Sequence, residues 1–517
     1  MSFSFSPNRI HGVLLIGITL LVYSSSFSGR FLWDDDTHIV QEECLRSLDG
    51  LRRIWVEPGA TCQYYPLTFT FLWIQYQAFG DQPLGYRLVN VGLHVSVALL
   101  LAFLLVPRLG SGWGWGAAWI FALHPIQVMS VAWVTEIKNT GSALIGLLSI
   151  AAFLHGEARD ENRWRWWTLL LFLLAMLAKT SSVVIPLFLL LWFYWRDGEV
   201  KPATVQWLLP MILLGMLISM GTVLMEQTIV YDGDAPASLS MLQRATNLAL
   251  SMGLYLRNFL WPVHLSFLYP PLSNLPAWLG YAALTGLLTT LLAAFEYRHQ
   301  RGRGAFCWLL AFLVGGPVLA LFPPLYMMQY TPISDHWIYW GMIPLSIGIA
   351  WVYSRLRLRP SYKRFLGPLL ILIMAALTFH RARDFQSEEQ VWLQTIERNP
   401  QAHLALHNLG LSALTQGRTA EAIRYLEQAL EVAPQVGRVR MNLGVAYERA
   451  GRTGDAISTY QSLITLRPDM ADPYRPLLSL LIARGDQAAA DELMHQMIRH
   501  HPEWMTPKAG GTGASPE

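Results

Sequence analysis

From about residue 10 to residue 380, apolar positions run in long blocks with charges confined to their ends. A helix needs roughly 20 mostly apolar residues to cross the hydrocarbon of a bilayer. Eleven runs meet or approach that length: 10–27, 84–106, 113–133, 139–155, 165–178, 181–195, 205–225, 277–295, 304–322, 337–354 and 365–380. The fifth and sixth are short and hinge at Lys179. The stretch 241–262 is apolar too, but Arg244, Asn247, Arg257 and Asn258 interrupt it, which predicts a helix lying along the interface.

Beyond residue 380 the pattern becomes amphipathic and periodic. Pro400, Pro434, Pro468 and Pro502 are spaced 34 apart, and so are Gly417, Gly451 and Gly485, and Ala422, Ala456 and Ala490. That period is the tetratricopeptide length. The fold class is therefore all-α: a polytopic membrane domain over 1–380 and a repeat superhelix over 384–506, followed by a disordered tail at 507–517. The repeats span 401–434, 435–468 and 469–502, with Trp392 in a helix before them. Asn408 and Asn442 share one repeat position, where an amide can bond both N–H and C=O of an extended acceptor peptide. A solvated helix face is the competing account, and the third repeat has Pro476 there.

Composition sharpens this division. Hydrophobic residues make up 53% of the 517 and charged ones only 14%, too few charges to coat an all-soluble chain. Thirty of the 73 charged residues fall in the last 137 positions. A net charge of +3 without a basic stripe argues against nucleic acid. Arg298, Arg301 and Arg303 lie between two spans, and Arg355, Arg357, Arg359, Lys363 and Arg364 between two others. The positive-inside bias puts both loops in the cytoplasm. The N-terminus is then inside, and loop 28–83 and the repeats lie outside the cytoplasmic (inner) membrane. A cleaved signal peptide, with Arg9 as its charged region, is the alternative for the first span. Cys44 and Cys62 share the outer loop, either bridged or as free thiols; Cys307 reads as packing.

The candidate chemistry lies where spans emerge on the outer side. Residues 31–38, Phe-Leu-Trp-Asp-Asp-Asp-Thr-His, hold three consecutive carboxylates whose mutual repulsion calls for a cation, a helix end or a substrate. Asp36 could cap the next helix, but one cap does not need Asp34 and Asp35 as well. Arg87, Asn90 and His94 open the second span. His124, Glu136 and Lys138 surround the exit of the third, Lys179 separates the two short spans, and Asp335 and His336 precede the tenth. Ionisable groups at membrane depth are functional candidates. A carboxylate facing lysines suits transfer from a lipid phosphate: the acid takes the proton of an acceptor hydroxyl, and the cations receive the leaving phosphate. No Gly-rich phosphate loop is present, and a membrane-anchored donor removes the need for a nucleotide.

Six separated motifs resemble the TMTC family, the transmembrane and tetratricopeptide-containing O-mannosyltransferases of the GT-C class. They are residues 31–35, 65–67, 80–94, 122–138, 178–181 and 334–339, followed in order by the repeats. The resemblance implies a glycosyltransferase using a polyprenyl-phosphate sugar, with Asp34 as the base and Asp35 its neighbour. Lys138, Lys179, His336 and Arg87 would then hold the donor phosphate, supported by Asp36, Glu136, His94, His124 and Asp335. It implies no cofactor and no metal, and a protein acceptor taken by the repeats. Relatives often have His where Arg87 stands. An Asp34–Asp36 metal pair is the variant reading. A non-catalytic scaffold for envelope assembly is the reading from another class. A transporter is disfavoured because the ionisable residues fall at span ends.

Overall fold

A computed structural model describes residues 7–225, 239–318, 331 and 333–500. Among these residues the chain is all-α, with short 3-10 and π turns between helices. It divides into two compact units between Val391 and Trp392.

In the first unit, six helices are long and apolar enough to cross a membrane: Asn8–Ser26, Pro83–Leu109, Val134–Arg159, Pro202–Met225, Ala277–Tyr297 and Pro360–Gln386. A seventh candidate is a pair, Ser111–Leu123 and Pro125–Ala132, bent by 51°. Pro125 causes the bend: it has no N–H to donate, and it forces His124 into an extended backbone at φ −77°, ψ 129°. The remaining four expected spans are represented by shorter helices, Arg163–Ala178, Ile185–Asp197, Arg303–Val314 and Met342–Arg355. The last four residues of the run 304–322 lie outside the described residues. Leu213, Leu217, Leu288, Leu292, Phe365 and Leu372 are exposed along these helices. Such apolar surface is stable only against lipid, so the first unit is a multi-pass membrane protein.

The stretch between the first two spans is not an open loop. It carries helices Leu48–Val56 and Pro66–Phe79, the latter entered through Pro66 at its first position. Ile39, Cys44, Leu45, Ile54, Phe69 and Leu72 pack there against Tyr86, Val134 and Ile137. This small core seats the acidic stretch on the ends of two long helices. Cys44 and Cys62 both contribute to it as free thiols. Met241–Leu260 forms one helix, opened by a Ser240–Gln243 capping box.

Residues 381–391 belong to the first unit, although the domain division expected from composition lay near 380–384. Arg381 pairs with Asp384 at 2.7 Å, the Gln386 amide donates to the Ser25 carbonyl at 2.6 Å, and buried Arg87 donates to the Phe385 carbonyl at 3.1 Å. Arg87 also reaches the carbonyls of Arg30 and Ala132. Gly29 makes room for it, because a Cβ there would lie 2.4 Å from Nη1. Gly29→Ala is expected to cost about 1–3 kcal/mol through that overlap, read as a lowered Tm in detergent.

Among the described residues the second unit contains three helix pairs: His403–Thr415 with Thr419–Val432, Gly437–Arg449 with Thr453–Leu466, and Tyr474–Arg484 with Gln487–His500. The first helix of each pair ends at Gly417, Gly451 or Gly485, with φ between 71° and 78°. Gly444 permits close packing inside a pair: a Cβ there would meet the Tyr460 ring at 2.3 Å. The tail at 507–517 and Pro502 lie outside the described residues.

Candidate active site

Five of the expected residues come together: Asp34, Glu136, Lys138, Lys179 and His336. Two chain features bring them there. Trp33 adopts a left-handed backbone at φ 43°, rare and strained for a side chain of this size. The twist lets Asp34 and Asp35, adjacent in sequence, serve different surroundings. Trp33 stacks on Trp133 at 6.0 Å between ring centroids, and the His336 ring meets the same indole edge-on at 5.9 Å. Trp133 thus joins the acidic stretch to the segment before Met342–Arg355.

Asp35 is fully buried and anchors the stretch. Its carboxylate accepts the Leu32 N–H and the Thr135 N–H, each at 2.9 Å. Each oxygen accepts one backbone N–H, an arrangement that fixes the position of the neighbouring Asp34. Asp34 is half-buried, and its carboxylate accepts no hydrogen bond among the described residues. Its backbone carbonyl accepts from the His38 N–H and lies 2.8 Å from His38 Nδ1. Burial pushes the Asp34 carboxyl up to about 6, against the pull of the Lys138 ammonium. Burial in turn holds the His38 imidazole down at about 4.

Glu136 is the centre of the cationic part. Its two oxygens lie 3.2 Å from Lys138 Nζ and 3.3 Å from Lys179 Nζ. Asn139 completes the frame: its oxygen accepts from Lys179 Nζ at 2.7 Å, and its amide nitrogen reaches Glu136, Ser130 and the His336 carbonyl. Lys179 gets there because helix Arg163–Ala178 stops at Ala178 and Lys179 is extended, φ −158°, before the turn Thr180–Val184. His336 Nδ1 lies 2.8 Å from Ser334 Oγ. The result is two ammonium groups held apart by one carboxylate, beside an uncommitted acid.

The other expected residues are used elsewhere. Arg87, expected at the donor phosphate, is enclosed and spends its guanidinium on three backbone carbonyls. His94 lies inside its helix bundle, donating from Nε2 to the Ala122 carbonyl and accepting at Nδ1 from the Tyr339 hydroxyl. His124 caps the bend: Nδ1 accepts the Ile126 N–H and Nε2 donates to the Phe259 carbonyl. Asp335 is buried and accepts from the Tyr269 hydroxyl at 2.8 Å. Asp36 is exposed and opens the π turn Asp36–Val40, where Asp35 holds the capping position. Among the described residues no three His, Cys, Asp or Glu groups gather as metal ligands do. In the repeats, the Asn442 amide lies 2.7 Å from His407 Nε2 of the preceding repeat, while the Asn408 amide nitrogen is buried without a hydrogen bond.

Sequence reasoning missed Asn139 and gave Glu136 only a supporting place. The signal was available: an acid, a lysine and an amide at 136, 138 and 139 open an apolar span, where polar groups are costly unless they satisfy one another.

A tetratricopeptide repeat family profile matches residues 373–423 and 407–471. A Caenorhabditis elegans protein O-mannosyl-transferase is 23% identical over 451 residues, 81% of this chain and 62% of that protein. Human protein O-mannosyl-transferase TMTC4 is 23% identical over 493 residues, 80% of this chain and 65% of its own length. Drosophila melanogaster Tmtc1 is 30% identical over 177 residues, 32% of this chain and 20% of that protein. Among solved structures, apo ArnT from Cupriavidus metallidurans aligns with 87% of this chain and 79% of its own, at 13% identity and a TM-score of 0.37. The chain spans less than two thirds of the length of these sequence relatives. They are the relatives expected from the six motifs: the chain is similar over some four fifths of its length to TMTC proteins, the transmembrane O-mannosyltransferases with tetratricopeptide repeats.

Proposed function

We propose that the chain is an inverting GT-C glycosyltransferase, carrying a sugar from a polyprenyl phosphate to a protein hydroxyl on the outer face of the inner membrane. The observation that carries this reading is the uncommitted Asp34 carboxylate beside the lysine pair that Glu136 holds. The acceptor oxygen attacks the anomeric carbon as its proton passes to Asp34. The bond from that carbon to the phosphate oxygen breaks, and the electron pair leaves on the polyprenyl phosphate. Lys138 and Lys179 meet the charge that develops there. A single displacement inverts the anomeric carbon. His336 lines the same cluster, and the repeats take the acceptor chain. The names of the relatives favour mannose as the sugar and protein as the acceptor.

The test is transfer in vitro: membranes containing the chain, polyprenyl-phosphate mannose and a Ser/Thr-rich peptide, with the product read by mass spectrometry. Transfer that persists in excess chelator supports the lysine pair as the phosphate's partner; loss of it moves Asp34 to the metal-pair reading. No transfer to any peptide, lipid or glycan acceptor refutes the proposal.

A pH profile follows from the acid. Burial raises the Asp34 carboxyl to about 6, so the base form empties as pH falls through that value. The rate is expected to be level above about pH 7 and to drop about tenfold for each pH unit below about 5.

A further inference from the structure

A groove of about 470 Å³ opens where helix Ile185–Asp197 ends against the close of Ala277–Tyr297 and the start of Arg303–Val314. The thirteen residues of Ile185–Asp197 rise about 20 Å, so the groove lies at the far end of that helix from Lys179. The proposed reaction does not use it. Its walls include Leu190, Leu191, Tyr194, Phe295 and Phe306, and Arg298 and His299 lie at its rim. Phe306 sits edge-on to both Tyr194 and Phe295, at 6.2 and 5.8 Å. The volume falls in the range of small-ligand sites.

Two observations say what fills it. First, the groove faces lipid: only 11% of the apolar window of Ala277–Tyr297 is buried, and Phe295 is 43% exposed. Second, its rim is cationic and uncompensated. Among the described residues no carboxylate pairs with Arg298 or Arg303, whereas nearby Arg196 is neutralised by Glu157 and Asp197 at 2.9 and 2.7 Å. Gly198 keeps the rim open to Arg303: a Cβ there would lie 2.6 Å from Nη1. An apolar slot open to the bilayer, edged by guanidinium groups that no carboxylate neutralises among the described residues, matches a molecule with a hydrocarbon chain and a negative head; Arg298 meanwhile donates to the Phe295 carbonyl and lies over the Phe295 ring, 3.2 Å from its centroid.

We propose that this groove is a binding site for one anionic glycerophospholipid. An acyl chain lies along Leu191, Phe295 and Phe306, and the phosphate lies against Arg298, His299 and Arg303. The anionic leaflet that supplies it is the one that the arginine-rich loops face.

Native mass spectrometry of the full chain, titrated with dioleoyl phosphatidylglycerol or dioleoyl phosphatidylcholine, tests this. One phosphatidylglycerol is expected to remain bound at least about tenfold more tightly than phosphatidylcholine. In the double variant Arg298→Gln and Arg303→Gln, that preference is expected to fall to within about twofold, since each cation near an anionic headgroup contributes measurably. Leu191→Trp, which fills the slot, is expected to remove the retained lipid of either kind. Equal retention of the two lipids by the unaltered chain overturns the proposal without reference to any variant. So does a preference that survives the charge substitutions, retention that survives Leu191→Trp, or displacement of the adduct by millimolar inorganic phosphate, which marks a free-anion site.

Discussion

Asp34→Asn is expected to lower sugar transfer by about 10²–10⁴-fold, the range for a positioned general base, while leaving thermal stability within about 0.5 kcal/mol. The structure supports both halves of this expectation. Among the described residues the Asp34 carboxylate accepts no hydrogen bond, so an amide of the same shape removes no hydrogen bond seen there, and it removes an acid that burial has raised to about 6. Asp35→Asn supplies the contrast. The Asp35 oxygens accept two buried N–H groups, and an amide offers one oxygen where two are required. It is expected to lose about 1–3 kcal/mol of stability, with activity falling through misplacement of Asp34. Unchanged kcat in Asp34→Asn, measured with polyprenyl-phosphate mannose at saturating peptide, removes Asp34 from the chemistry. A Tm that drops as far in Asp34→Asn as in Asp35→Asn contradicts the division of labour between the two.

Glu136→Gln is expected to give the largest loss of stability. The Glu136 side chain is almost fully buried, and it stands between two lysines whose side chains are only 10% and 13% exposed. Removing the one carboxylate that pairs with both leaves two ammonium groups confined together without that shared ion pair, and breaking a buried pair in this way costs about 3–5 kcal/mol. The Asn139 amide, which now donates to Glu136, keeps its bonds to Ser130 and the His336 carbonyl, so the damage is chiefly electrostatic. Glu136→Asp tests this: it keeps the charge, shortens the reach and is expected to recover more than half of the lost Tm. The measurement is thermal unfolding in detergent with transfer assayed in parallel. A Glu136→Gln protein as stable as the unaltered chain would mean that water, and not Glu136, compensates the lysines.

How far the residues themselves announced this site differs from one to the next. Three acids in a row after an apolar span, and lysines at the ends of others, are visible in any reading, because charge at membrane depth has few other uses. Asp34, Lys138, Lys179 and His336 were legible on that ground. Arg87 was equally conspicuous and has a different task. Nothing in the sequence says that the backbone carbonyls of Arg30, Ala132 and Phe385, far apart along the chain, converge on one guanidinium. His94, His124 and Asp335 are similar cases, polar groups whose partners Tyr339, Phe259 and Tyr269 lie far away along the chain.

Local order alone determined the long apolar helices, the bend at Pro125, the hinge at Lys179 and the 34-residue repeat. Hydrophobic length, proline geometry and periodicity act within a few turns of chain. Tertiary structure alone decided which of two adjacent aspartates is committed to backbone and which is left open, and that one glutamate holds two lysines. Those outcomes depend on the left-handed twist at Trp33 and on which helix ends meet. In a low-dielectric interior, whether a charged group is anchored or available depends on the atoms within about 4 Å of it, and sequence spacing does not specify those.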